Sequence, residues 1–239
     1  MDTYTIQQIL ERVDIKICRD IVKVFDGVEE TVRMEIYGKF KWDKSTCMRA
    51  SRGGYLECLR YAHENGCQWD KDTCSKASFG GHLRCLKYAH MNGCLWDEET
   101  CSNASKRGQL KCLKYAHENG CQWNELTCNW ASSEGHLECL KYAHENGCLW
   151  DESTCSFASY GGHLECLKYA HENGCPWDEY TCYYASTRGH LECLRYALNN
   201  KCPISVYECS RCVNKECKKY LETEFDEYES CIKNGKKFL

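Results

Sequence analysis

The chain has 239 residues, 23 of them cysteine, with 31 basic against 35 acidic side chains and a net charge of −4. That balance exerts no long-range pull on nucleic acid or an anionic membrane, so neither is expected as a partner. The first residues, MDTYTIQQILERVD, lack the basic and continuous apolar regions of a signal peptide, and no run approaches the roughly 18 apolar residues of a membrane span. The expectation is a soluble, intracellular monomer whose cysteines are reduced, since a reducing compartment favours free thiols or metal ligands over disulfides.

Residues 1–42 read as a helical N-terminal cap, with Ile6, Ile9, Leu10 and Val13 and then Ile17, Ile21 and Val24 at three- and four-residue spacing. The end of this segment is a faded copy of a unit that recurs along the chain. VEETVRMEIYGKFKWD (28–43) aligns without gaps to YLECLRYAHENGCQWD (55–70), with Thr31, Ile36 and Phe40 where later copies have Cys, His and Cys. Six units of 27 residues come next: 43–69, 70–96, 97–123, 124–150, 151–177 and 178–204. Each opens on Asp, or on Asn124 in the fourth, which is good N-cap chemistry. In the second unit the pattern predicts a helix from Asp72 to Phe79, a turn at Gly81, and a second helix from Leu83 to Met91 stopped by Asn92-Gly93. Residues 205–239 read as a degenerate unit that keeps Cys209 and Cys217, with Cys212 in an alanine slot, closed by a charged helix from Glu216 to Cys231. Tandem near-identical units indicate stacked modules rather than one irregular enzyme core. The predicted fold class is therefore all-α, a solenoid of helix–turn–helix units with helical caps.

The phrase G-H-L-E-C-L-K-Y-A-H-E-N-G-C, clearest at 135–148, 162–175 and 189–202, resembles the second helix of the ankyrin repeat, although 189–202 ends differently. Thr73-Cys74 and Ala77 approximate that family's opening motif, with Cys74 in a leucine slot. The likeness covers about 43–204. At 27 residues against the usual 33, the units have no room for the family's β-hairpin finger, and a Trp-Asp turn stands in its place. Short units rich in Cys, His and Trp look like those of ankyrin-like proteins of giant DNA viruses, which would put the protein in a host cytoplasm. The resemblance implies a protein-binding role.

Five of the six units repeat a Cys, a second Cys, a His and a third Cys, as at Cys74, Cys85, His90 and Cys94. Three thiolates and an imidazole suit zinc, and metal binding could supplement the small core of such short units. One helix separates Cys85 from Cys94 by about 13 Å, so four ligands of one unit cannot meet. The trio of a helix-ending His and Cys with the next unit's first cysteine is the candidate nucleus. These sets are His63, Cys67 and Cys74; His90, Cys94 and Cys101; His117, Cys121 and Cys128; His144, Cys148 and Cys155; and His171, Cys175 and Cys182. The competing reading treats cysteine as a small core hydrophobe, since Ile36 and Leu198 take the histidine slot and Phe40 a cysteine slot. Zinc is the one cofactor the sequence raises. Catalysis by a Cys–His dyad is not expected, because an enzyme has no use for five equivalent copies.

Binding specificity is expected where the copies disagree. Two adjacent first-helix positions vary, from Met48-Arg49 to Tyr183-Tyr184, and so do two loop positions, from Arg52-Gly53 to Thr187-Arg188. Basic residues gather at Arg49, Arg52, Lys76, Lys106 and Arg107. Aromatic ones gather at Trp130, Phe157, Tyr160, Tyr183 and Tyr184. Together they suit a protein partner with an apolar anchor and an acidic segment. The function expected is a non-enzymatic protein-interaction scaffold. Its rivals are a zinc-stabilised structural or virion-packing array without a specific partner, and an oxidised, disulfide-linked particle component.

Overall fold

The computed structural model describes residues 44–205, 212 and 214–224. The faded copy at 28–43, with the rest of the N-terminal cap, lies outside the described residues, as do Cys209 and the chain beyond Glu224. Among the described residues all regular structure is helical. The helices are α1 (Lys44–Gly53), α2 (Leu56–Glu64), α3 (Lys71–Gly80), α4 (Leu83–Met91), α5 (Glu98–Lys106), α6 (Leu110–Glu118), α7 (Glu125–Ser133), α8 (Leu137–Glu145), α9 (Glu152–Gly161), α10 (Leu164–Glu172), α11 (Glu179–Arg188), α12 (Leu191–Asn199) and α13 (Lys215–Glu224). They form two compact units, divided inside α5 between Thr100 and Cys101.

The local signals that make these helices are the same in each unit. The Asp70 carboxylate accepts from the Asp72 backbone N–H at 3.1 Å, and Asn124, Asp151 and Asp178 do the same for α7, α9 and α11. Each such cap satisfies one of the orphan donors of the first turn. Between paired helices a glycine in the left-handed region closes the first helix, as at Gly81 with φ +74°. A second glycine, such as Gly93 with φ +82°, ends the pair. In the last pair Lys201 occupies that second place and still adopts φ +62°, so the turn geometry outlasts the residue that makes it cheap.

Packing follows two parallel rules. In the first unit α1 packs on α3 and α2 on α4, while each helix also packs on its own partner. In the second unit α7, α9 and α11 stack as one layer and α6, α8, α10 and α12 as another, with α13 against α12. The core between layers is made of small side chains. Cys74, Ala77, Cys85 and Ala89 are almost wholly buried around one large aliphatic group, Leu86. The same place is filled by Leu59 in the first unit, and by Leu113, Leu140, Leu167, Leu194 and Leu221 in the second. Cysteine, alanine, serine and threonine let the helices approach closely, so that one leucine per repeat fills what remains.

Candidate functional site

Three side-chain systems recur with the repeat. The first lies where the second helix meets the closing turn. His63 stacks on Trp69 with ring centroids 3.7 Å apart, and its Nδ1 is hydrogen-bonded to the Tyr88 hydroxyl at 3.1 Å. In the second unit His117, Trp123 and Tyr142 repeat the arrangement, as do His144 with Trp150 and Tyr169, and His171 with Trp177 and Tyr196. The tryptophans are half-buried. These clusters fasten one repeat to the next through flat ring faces.

Burial lowers the pKa of His90 below its ordinary 6.5, and burial likewise lowers that of His163. A base held below its unfolded pKa binds fewer protons in the folded chain, so stability is intact above pH 6.5 and lost as the pH falls through that value. A melting series from pH 7.5 to 5 is therefore expected to show a falling Tm. Its slope should be reduced in His90→Leu, the residue that Leu198 already places in this slot.

The second system is the cysteines, all twenty of those described being buried free thiols. The structure groups them by repeat rather than across the turn. Cys47 and Cys67 sulfurs are 3.0 Å apart, and Cys74 is hydrogen-bonded with Cys94. In the second unit Cys101 is bonded with Cys121, Cys128 with Cys148, and Cys155 with Cys175. The physical reason is the turn after the second helix, which brings the closing cysteine back over the first helix of its own repeat. A bonded partner thiol, and burial after it, pushes Cys128 up, while Cys148 is held low by its bond to Cys128. Burial alone pushes Cys112 up to about 11. Cys182 is fully buried, and the closing thiol Cys202 donates to the Asp178 carbonyl. Among the described residues no three or more His, Cys, Asp and Glu side chains are gathered to hold a metal ion. The histidines of the five trios named from sequence stand in aromatic stacks with their own repeat's tryptophan.

The third system is the variable face. Of each adjacent first-helix pair, the first residue is mostly packed away: Ser75, Ser102, Asn129 and Ser156 are buried. A helix turns about 100° per residue, so two neighbours cannot both escape the adjoining first helix. The second residue of each pair stays at least partly open, as do all ten candidate contact residues. In the first unit Arg49, Arg52 and Lys76 lie on this face, with the Arg52 guanidinium 5.4 Å from the Phe79 ring centroid.

In the second unit basic and aromatic groups are interleaved rather than segregated. Lys106 Nζ sits 3.5 Å from the Trp130 ring centroid. The Arg188 guanidinium lies 4.1 Å from the Tyr160 centroid and donates to its hydroxyl. Tyr184 meets Tyr160 edge-on at 5.5 Å and Tyr183 at 5.3 Å. Arg107 is exposed and Phe157 half-buried beside them in the sequence of repeats. Two members are not evident from sequence. Tyr180, 45 % exposed, packs against both Tyr183 and Tyr184, and Leu126, 43 % exposed, precedes Trp130 by four residues on one helix face. The chain does hold a clue: residues four before Trp130 and Tyr184 share their helix face, and both are apolar or aromatic.

The loop histidines have a separate place. A Cβ on Gly54 would meet the His82 ring at 2.4 Å, and Gly108, Gly135 and Gly162 stand in the same relation to His136, His163 and His190. Asn214 covers Gly189. Each of these four rings thus lies on the bare turn of the preceding repeat.

Comparison with known proteins bears on this architecture. The family model described as ankyrin repeats (many copies) matches residues 128–171 and 155–198. No curated protein sequence matches the chain. Among solved structures, the ankyrin repeat domain of human ASB11 is similar with a TM-score of 0.55 at 18% identity, covering 65% of this chain and 83% of that one. At that identity the likeness is one of fold. Ankyrin repeats are generally protein-interaction scaffolds and typically non-enzymatic. Among the described residues no helix is long and apolar enough to cross a membrane. The helix–turn–helix units and the stacking of like helices on like are thus similar to the architecture of ankyrin repeats, and the sequence itself is similar to that family over residues 128–198.

Proposed function

We propose that the protein is a non-enzymatic binding scaffold whose contact face is the first-helix and loop surface of the second unit. The observation that carries this reading is two partly solvent-open groups on stacked first helices, Leu126 with Trp130 on α7, and Tyr160 of α9 with Tyr180, Tyr183 and Tyr184 of α11, in a protein whose core is small side chains around one leucine per repeat. Large aromatic groups supply contact area at low entropic cost and dominate interface energetics. Lys106, Arg107 and Arg188 stand among them, so the partner that fits is a protein segment with an apolar anchor flanked by carboxylates.

A displayed peptide library selected on the full chain tests the proposal, with counter-selection on the double variant Trp130→Ala, Tyr184→Ala. The expected result is enrichment of acidic peptides carrying a large apolar residue, with affinity at least tenfold weaker for the variant. That factor corresponds to about 1.4 kcal/mol, a modest loss for two interface aromatics. Equal enrichment on both proteins would remove this face from consideration.

A further inference from the structure

The second helix of each repeat ends on an exposed asparagine. Asn65 and Asn92 in the first unit, and Asn119, Asn146 and Asn173 in the second, are each followed by an exposed glycine. A Cβ on any of these glycines would meet nothing within 4 Å, so no neighbouring group screens the turn. An Asn-Gly step is prone to close on itself, because glycine leaves its backbone nitrogen unshielded and its torsions free. The folded chain holds all five steps out of that reaction. The Asn146 side-chain amide donates to the Tyr142 carbonyl at 2.8 Å, and the Gly147 N–H donates to the His144 carbonyl at 3.0 Å. The other four turns repeat both bonds, with the asparagine amide 2.7–2.8 Å from its tyrosine carbonyl. Asparagine ψ lies between 18° and 23° in the five, which turns the glycine nitrogen away from the side-chain carbon it would attack.

We infer that the five Asn-Gly turns are modification sites gated by the opening of their repeats: closed while the repeat is folded, they deamidate through a cyclic imide once it opens. The step balances with water alone. The glycine nitrogen loses its proton and bonds to the asparagine Cγ, the Cγ–Nδ2 bond breaks, and ammonia leaves carrying that proton. Water then opens the five-membered imide at either carbonyl. The product is aspartate, or isoaspartate with the backbone running through the side chain, and nothing is oxidised or reduced. Reaching the imide requires both hydrogen bonds to break and ψ to rotate, which is local unfolding of the helix end. The product also opposes re-closure. A carboxylate has no hydrogen to give the tyrosine carbonyl, and its charge stands at the negative end of the helix, next to the exposed Glu145 in the case of Asn146. A repeat that has opened is thereby marked and weakened, and the mark stays with that repeat. Asn200 is a control within the chain. It donates to the Tyr196 carbonyl at 2.8 Å with ψ 20°, but Lys201 takes the glycine place and its side chain hinders ring closure.

The test incubates the full chain at mildly alkaline pH with and without denaturing urea, and follows asparagine, aspartate and isoaspartate peptides by chromatography and mass spectrometry. In urea all five Asn-Gly steps are expected to react while Asn200 is retained. In the folded chain each should react at least about tenfold more slowly, since two ordinary hydrogen bonds must open first. Leu140 lies on the same helix as Asn146. In Leu140→Ala, shown to be folded by circular dichroism, Asn146 should therefore react at least about threefold faster than in the unsubstituted chain. The comparison with and without urea needs no variant to fold. Equal rates in the two conditions, reaction at Asn200 as fast as at the Asn-Gly steps, or an Asn146 rate unmoved by Leu140→Ala overturns the proposal.

Discussion

Replacing Leu140 by alanine is expected to lower stability by about 3 kcal/mol, seen as a shift of the urea midpoint of the full chain. Leu140 is fully buried, and its buried neighbours in the same repeat are small: Cys128, Ala131, Cys139 and Ala143. Removing its branched end therefore leaves a cavity bordered by groups too short to fill it, and the cost of a truncation rises with the cavity that persists. Cys139→Ala removes only a sulfur from the same helix and is expected to cost about 1 kcal/mol, in line with the transfer of one small apolar group. The comparison isolates the leucine. Equal costs for the two variants would mean that the repeat core is not organised around it.

Gly135→Ala is expected to destabilise by about 3 kcal/mol and Gly147→Ala by about 1 kcal/mol, although both glycines have positive φ. Gly135 has φ +75° and Gly147 +85°, so an alanine at either is strained by the left-handed backbone. The difference lies in the neighbours. A Cβ at Gly135 would meet the His163 ring at 2.5 Å, whereas one at Gly147 would meet nothing within 4 Å. The His163 imidazole is set over this turn and is bonded to the Ser133 carbonyl, so it cannot swing aside without losing that bond. Thermal melts of the two variants measure the gap. A second pair of melts in a His163→Ala background should bring the two costs close together, because the close contact is then gone. A gap that survives would place its cause outside the ring.

The variable positions mark where one-dimensional reasoning stops. Two adjacent varying residues look equivalent in an alignment of repeats. The structure separates them: Ser75 and Asn129 face the neighbouring first helix, while Lys76 and Trp130 reach solvent. Periodicity alone could have split each pair, given the direction of the stack. Tyr180 and Leu126 are hidden in the sequence for a different reason. They fall in the first turn, where the changes from Asp72 and Glu99 look like ordinary surface variation. Their contribution depends on side chains four residues on and, for Tyr180, on rings from two helices meeting at one point.

The cysteines show the opposite case. Their slots read as core from Ile36, Leu198 and Phe40, and every described cysteine is buried. Which cysteine meets which was not legible, since chain distance favours Cys121 with Cys128, seven residues apart. The fold brings Cys128 to Cys148 across twenty. In the same way the loop histidines read as turn residues, and only the stacking of one repeat on the next shows each lying on a glycine about 28 residues before it.

The helix pairing, the cap chemistry and the small-residue core were therefore written in the chain, because each depends on neighbours within about four residues or on a period that repeats. N-cap Asp, turn Gly and the Leu slot recur every 27 residues, and local hydrogen bonding and steric strain act on them wherever they occur. What the stacked structure alone decided is which varying side chains face outward, how thiols pair, and where rings land on bare turns. Those outcomes depend on distances of a few ångström between residues 20 to 28 apart, and such distances exist only once one repeat is seated on another.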